Sequence, residues 1–288
     1  MRILILGYGF IGKYIAHQLE SQGYEVFIFS KTISMTKKNN QIQGDVFNDD
    51  DLNKVIIWQP SVIISTVWST NYDSYSNDSN NINYANFSIS LADFCNRIGV
   101  KHLIILGSGA EYGNQKIASS AGTTVLNPLS IYAEQKVYAF NSINEIDKKF
   151  RFTWARIFYP YAPDQNPKRL IPYLHSCLIN QTQIILKDST SKFDWVSTRD
   201  IALAVAWLVN NDSPIEVDIG TSIPYTNIEL LEEICNVTHL YYRESMIKNL
   251  HITSNEVHAV SRQSPLLNMG WKPLDSLNEG LRWVFSNA

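Results

Sequence analysis

Tyr132 and Lys136 lie four residues apart in Asn127-Pro-Leu-Ser-Ile-Tyr-Ala-Glu-Gln-Lys136, where a helix is expected to begin. At that spacing two side chains share one helical face, one turn apart. A free phenol has a pKa near 10 and is a poor acid or base at neutral pH. An ammonium one turn away favours the phenolate and is expected to lower that value. The pair therefore suits proton transfer to or from a hydroxyl or ketone. Taken alone, the spacing also arises by chance on solvated helices, so the elements around it decide its meaning.

Those elements begin at the N-terminus. Arg2 to Leu6 is a short aliphatic run suited to a strand covered on both faces. Gly7-Tyr-Gly-Phe-Ile-Gly12 follows, and Lys13 to Gln22 has a helical pattern closed by Gly23. Strand, Gly-x-Gly-x-x-Gly and helix in that order form a dinucleotide-binding context. Gly7 permits the tight turn, Gly9 admits the pyrophosphate and Gly12 lets helix and strand pack closely. Phe10 and Ile11 lie in the same loop, and the first helical N–H groups face the diphosphate.

The second strand, Glu25 to Phe29, ends in Ser30-Lys31, with Lys37-Lys38 nearby. An NAD site usually has an acidic residue here for the ribose hydroxyls. A hydroxyl and an ammonium suit a 2′-phosphate instead, so NADP is the expected cofactor and NAD the less favoured one. Asp45-Val46 stands where the adenine amino group could be received, and a turn aspartate is the plain alternative.

Asp49 to Trp58 reads as a helix and Ser61 to Thr66 as a strand, with Thr66 and Trp68 beside the expected cofactor. Asn71 to Asn83 is polar and reads as a surface loop or lid. A helix over Tyr84 to Ile98 closes at Gly99. The strand Lys101 to Leu106 opens into Gly107-Ser-Gly-Ala-Glu-Tyr-Gly113. Ligands of open α/β sheets bind at the carboxyl ends of strands, which makes Ser108 a candidate donor to a carbonyl or alkoxide. This alternation predicts an α/β fold, a Rossmann-type doubly wound parallel sheet. Residues 1–155 would form it. Residues 156–288, with helices at Leu170 to Ile179, Asp200 to Asn210 and Thr226 to Cys235, would add a smaller, interleaved C-terminal α/β lobe for substrate.

The bulk properties narrow the classes. The 288 residues carry a net charge of -3 and are 45% hydrophobic and 18% charged, as in ordinary soluble globular proteins. Without a basic stripe, nucleic acid and anionic membranes are not expected partners. Three scattered cysteines and six histidines show no metal-ligand spacing, so no metal is expected. The short apolar N-terminus reads as a strand rather than a signal peptide, and the expected location is cytoplasmic.

With these motifs assembled, nearly the whole chain resembles the extended short-chain dehydrogenase/reductase family of nucleotide-sugar epimerases, dehydratases and 4-ketoreductases. The glycine loop is one residue shorter than the family's usual form. Asp45-Val46 matches its adenine contact. Gly107 to Gly113 is similar to its Ser-Ser-x-x-Val-Tyr-Gly, and Tyr132 with Lys136 to its Tyr-x-x-x-Lys. Arg156-Ile-Phe-Tyr-Pro-Tyr-Ala-Pro163 resembles Arg-x-x-Asn-x-Tyr-Gly-Pro, and Lys192 to Asp200 resembles Arg-Asp-Phe-x-x-Val-x-Asp. Ile219-Gly-Thr221 and Met269-Gly-Trp-Lys-Pro273 resemble later family motifs. Tyr159 replaces a substrate-touching Asn, and Phe193 replaces a diphosphate-holding Arg beside Lys192.

The resemblance implies an NAD(P)-dependent oxidoreductase in which Ser108, Tyr132 and Lys136 are catalytic. Lys136 would also bind the nicotinamide ribose, and Tyr159 would lie at the cofactor. Trp68, Gly109, Tyr112, Lys168, Arg169 and Lys192 would line the substrate site. The leading expectation is NADPH-dependent reduction of a keto group on a nucleotide-activated sugar. The alternatives are an NAD-dependent nucleotide-sugar 4-epimerase and a non-catalytic NAD(P)-binding sensor or scaffold. A dehydratase would carry an Asp-Glu pair after the serine, where this chain has Gly109-Ala110. Family members often dimerise through a four-helix bundle that includes the Tyr132 helix, so a homodimer is expected.

Overall fold

A computed structural model describes residues 1–32, 40–69, 73–186, 188–249 and 255–287. Among them a seven-stranded sheet forms from β1 (Arg2–Leu6), β2 (Glu25–Ser30), β3 (Gln41–Gln43), β4 (Val62–Ser65), β5 (His102–Ser108), β6 (Arg151–Ile157) and a strand from the second half, Glu216–Ile219. Its order is Glu216–Ile219, β6, β5, β4, β1, β2, β3, and every pairing is parallel. Ile3, Leu4, Ile5 and Leu6 are wholly buried, because a central parallel strand has helices on both faces.

One layer is α1 (Gly12–Ser21) with a helix at Thr198–Asn210, and together with the sheet they enclose Ile5, Ile15, Ile64, Val205 and Leu208. After α2 (Asp49–Asn53), the opposite layer is α3 (Asn81–Ile98) with α4 (Ile131–Glu145), packed around Leu4, Phe29, Leu91, Ile105 and Trp154. The doubly wound sheet is as expected.

The second half also carries α5 (Leu170–Asn180), α6 (the Thr198–Asn210 helix), α7 (Asn227–Thr238), α8 (Pro265–Asn268), α9 (Leu277–Ser286) and short strands. A third cluster joins α5, α7 and α9, with Leu174, Leu178, Leu230, Leu231 and Leu281 buried within it, whereas Leu266 of α8 joins α6 in the first cluster. Those strands are β7 (Tyr159–Tyr161), β8 (Ile184–Leu186), β9 (Lys192–Phe193), β10 (Trp195–Ser197), β11 (the sheet strand Glu216–Ile219), β12 (Tyr225–Thr226), β13 (Ile247–Asn249) and β14 (Val257–His258). β7 pairs with β10, β8 with β13, and β9 lies between β12 and β14.

Several local expectations shift. The helix expected over Asp49 to Trp58 is α for five residues and 3-10 from Lys54, ending at a left-handed Gln59. Its consecutive Val55, Ile56 and Ile57 are β-branched, which disfavours continuing α-helix. α3 starts at Asn81 rather than Tyr84. The Asn81 amide makes this early start, donating to the carbonyls of Tyr75 and Asp78 at 2.7 and 2.8 Å. β5 runs on to Ser108, two residues beyond the expected end.

Candidate active site

The glycine loop takes the form its sequence requires. Gly7 has φ +91°, a left-handed backbone that favours glycine. A Cβ on Gly12 would lie 2.2 Å from the Gly7 carbonyl oxygen, so α1 packs closely only with glycine there. A Cβ on Gly9, by contrast, would meet nothing within 4 Å. No side chain caps α1 at Ile11. Open space over Gly9 beside uncapped helical N–H groups is the cradle a pyrophosphate needs, so the loop fits a dinucleotide. Phe10 and Ile11 are half-buried beside it. Thr66 steadies the turn, its hydroxyl donating to the Leu6 and Gly7 carbonyls, both at 3.1 Å.

At the end of β2 the expected phosphate cation is already engaged. Lys31 Nζ lies 3.1 Å from Asp45 Oδ2, while Asp45 Oδ1 accepts from the Phe47 N–H at 3.1 Å. The Asp45 carboxylate thus offsets part of the charge that Ser30-Lys31 would offer a 2′-phosphate. Ser30 is half-buried and ends β2; Val46 is buried among Phe29 and Leu52 as core. Lys37 and Lys38 lie outside the described residues.

The chemistry-bearing side chains meet at the carboxyl ends of β4 and β5. Ser130 caps α4, its hydroxyl accepting from the Ala133 N–H at 3.3 Å, so Tyr132 falls in the first turn. The Ser108 side chain favours the phenolate form of Tyr132, and the Lys136 Nζ lies 5.3 Å from the Tyr132 ring centroid. Lys136 is buried one turn on, its Nζ donating to the Leu106 carbonyl at 2.8 Å and lying 4.0 Å from the Trp68 ring centroid. Burial pushes the Lys136 ammonium down to about 8, against the opposing pull of the Glu111 carboxylate. Burial also pushes the Tyr132 phenol well up, with Ser108 opposing. The expectation of a phenol lowered below its free value is thus reversed in this structure, because desolvation outweighs the opposing pull of Ser108 and Arg169.

Other expected site residues separate. Arg169 lies with its guanidinium 5.4 Å from the Tyr75 ring and its charge favours the Tyr132 phenolate. Lys168 pairs with Asp73 at 2.7 Å, and both are exposed. Gly109 packs against the Phe158 ring, and Lys192 is exposed at the start of β9. Tyr159 stands in an aromatic group with Phe193, Trp195 and His258. Tyr112 is a correction. It is 1% exposed and its hydroxyl donates to Asp218 Oδ1 at 2.7 Å, so it braces the core rather than lining a substrate site.

Sequence reasoning missed Tyr75, whose ring stands edge-on to Tyr132 at 5.2 Å. It fell inside a polar stretch with no periodicity to mark it. Asp194 was also missed. Wholly buried, it accepts from the N–H groups of Thr221, Ser222 and Val260 at 2.7, 2.9 and 3.1 Å and so joins three segments of the lobe.

A parallel Rossmann sheet, an open glycine cradle and a Ser-Tyr-Lys group at the strand ends define an NAD(P)-dependent enzyme of the extended short-chain dehydrogenase/reductase type. The family model described as "NAD dependent epimerase/dehydratase family" matches residues 3–220, and the chain belongs to that family. It is 23% identical to a UDP-glucose 4-epimerase of Lactobacillus helveticus, over 95% of this chain and 92% of the relative. Solved structures share the fold. A UDP-glucose-4-epimerase of Stenotrophomonas maltophila, with bound NAD and formylated UDP-arabinopyranose, superposes with TM-score 0.85 at 16% identity over 100% of this chain and 97% of the other. The dTDP-glucose 4,6-dehydratase of Bacillus anthracis, in complex with NAD, gives 0.82 at 20% identity over 100% and 96%.

Proposed function

We propose that this protein is an NAD-dependent epimerase acting on a nucleotide-activated sugar, in preference to the NADPH-dependent ketoreductase expected from the sequence. The observation that carries the reading is the grouping of Ser108, Tyr132 and Lys136 at the carboxyl end of β5, with the Lys136 Nζ 5.3 Å from the Tyr132 ring centroid and 2.8 Å from the Leu106 carbonyl oxygen. Bound NAD supplies the hydride acceptor and, when oxidised, a positive charge; the Gly7–Gly12 loop would hold it. Tyr132 accepts the proton of the sugar hydroxyl and later returns it, while Ser108 hydrogen-bonds the same oxygen. Burial holds the phenol protonated, so accepting a proton requires nearby positive charge, which Lys136 carries. Residues 156–288 would supply the substrate lobe, from which the Arg169 charge favours the Tyr132 phenolate.

Two observations favour this reading over its neighbours. The Lys31–Asp45 pair offsets part of the charge at the end of β2, which favours NAD over its phosphorylated form. Glu111, the nearest acidic residue after Ser108, is committed to Arg156 and Trp154, which argues against a dehydratase acid–base pair. UDP-glucose is the first substrate to try, given the relatives' activity.

The test is a panel of nucleotide sugars and their keto derivatives with added NAD, NADP or NADPH, followed for isomerisation and for net cofactor oxidation or reduction. Epimerised product with NAD and no net change in cofactor is expected. Stoichiometric NADPH consumption would overturn the assignment in favour of the reductase. Tyr132→Phe should lower kcat by roughly 100- to 10,000-fold, the range for a lost general acid–base, with NAD affinity unchanged.

A further inference from the structure

We propose that Glu111 is a positioning residue for this site: its carboxylate holds the Ser108 backbone and places a fixed negative charge behind Tyr132 and Lys136. The inference rests on the epimerase reading for what Ser108, Tyr132 and Lys136 do, and on geometry for what Glu111 does to them.

Glu111 is 0% exposed, an arrangement rare for a carboxylate unless it is paired. Its Oε1 accepts from the Ser108 N–H at 2.7 Å, while Ser108 Oγ accepts from the Ala110 N–H at 3.2 Å. Backbone and hydroxyl of Ser108 are therefore held from two directions on the short turn after β5. Glu111 is held in turn. Arg156 Nε donates to Oε2 at 2.6 Å, and Trp154 Nε1 lies 3.1 Å from both carboxylate oxygens. The second face of Arg156 meets Glu216. Gly107 makes room for this group, since a Cβ there would sit 2.3 Å from Trp154 Nε1 and 2.8 Å from Glu111 Oε1.

A buried ion pair adds little net stability against its desolvation cost, so stability alone is a weak reason for one here. Its position offers a better one. The charged and titratable groups around Glu111 are Arg156 on β6, Glu216 and Asp218 on β11, Tyr112 on its own turn, and Tyr132 and Lys136 on α4. Glu111 favours the protonated form of both Tyr132 and Lys136. It thereby opposes the burial that would leave Lys136 neutral.

The experiment uses the full chain saturated with NAD and three variants. Glu111→Asp keeps the charge but shortens the reach to the Ser108 N–H; Glu111→Gln keeps an acceptor but removes the charge. Glu216→Gln alters the same arginine without touching Ser108. Lysines labelled with 13C at Cε report Lys136 titration by NMR, assigned by the signal missing in Lys136→Met. Glu111→Asp is expected to lose about tenfold in kcat with KM within twofold and Lys136 titration nearly unmoved. Glu111→Gln should move the Lys136 titration and the alkaline limb of kcat to lower pH. Glu216→Gln should do neither. Wild-type kcat in Glu111→Asp, or an unmoved Lys136 titration in Glu111→Gln, would overturn the proposal. If the wild type turned over no nucleotide sugar, the epimerase reading would fall, and the Lys136 titration would still decide the role of Glu111. If Glu111→Gln did not fold, the kcat of Glu111→Asp would decide.

Discussion

The Lys136 ammonium lies 4.0 Å from the centroid of the Trp68 ring, and the indole N–H of Trp68 donates to Asn81 Oδ1 at 2.7 Å. The strand end after β4 and the start of α3 therefore together hold an aromatic face against the buried lysine. An ammonium over an indole gains about 0.5–2 kcal/mol. Trp68→Leu should remove that gain, moving the alkaline limb of kcat below its wild-type position. It should also destabilise the fold in denaturant titration, by less than the roughly 3–5 kcal/mol of truncating a fully buried tryptophan, because Trp68 is half-buried. Trp68→Phe keeps a ring and should lie between the two proteins; a wild-type pH profile in Trp68→Leu would refute the coupling.

Two glycines of one loop should answer the same substitution differently. Gly12→Ala puts its Cβ against backbone, 2.2 Å from the Gly7 oxygen, and should unfold or markedly destabilise the protein. Gly9→Ala meets nothing in the chain and should melt within about 1–2 °C of wild type. Its methyl occupies the space over the loop, so NAD affinity should fall at least about tenfold, about 1.4 kcal/mol. Calorimetric melting with and without NAD measures both: unchanged stabilisation by NAD in Gly9→Ala would contradict the assignment of the cradle.

Asp218 provides the pH dependence of stability. Burial raises its carboxyl to about 7, against the hydrogen bond from Tyr112, the charge of Arg156 and the N–H of Ala121. A folded-state value above the unfolded one contributes stability at low pH and loses it as pH rises. From this residue the loss should run from about pH 4 to about pH 7, with a slope of up to about 1.4 kcal/mol per unit. Asp218→Asn keeps a donor and an acceptor for Tyr112 and Ala121 and should flatten that segment of the stability curve. Chemical denaturation at several pH values, wild type against variant, checks it; identical slopes would place the titration elsewhere.

Features determined by local covalent chemistry were legible in the chain. The Gly7–Gly12 turn, the aliphatic strands and the start of a helix near Tyr132 depend on backbone freedom and periodicity within a few residues. So did the one-turn spacing of Tyr132 and Lys136 and the place of Ser108 at a strand end. Partners distant in sequence were not legible. Nothing local in Ser30-Lys31 announces that Asp45 will pair with the lysine. Tyr112 looked like a substrate contact until β11 brought Asp218 against its hydroxyl.

The direction of the phenol's shift shows the same division. Sequence spacing determined that Lys136 would stand near Tyr132. Only the tertiary structure decided that both would be buried, because desolvation depends on everything packed around a group and not on its nearest charge. Likewise the sequence placed Glu111 three residues after Ser108 in the Gly107–Gly113 run. Its meaning came from Arg156 and Trp154, more than 40 residues away, which the parallel pairing of β5 with β6 brings alongside.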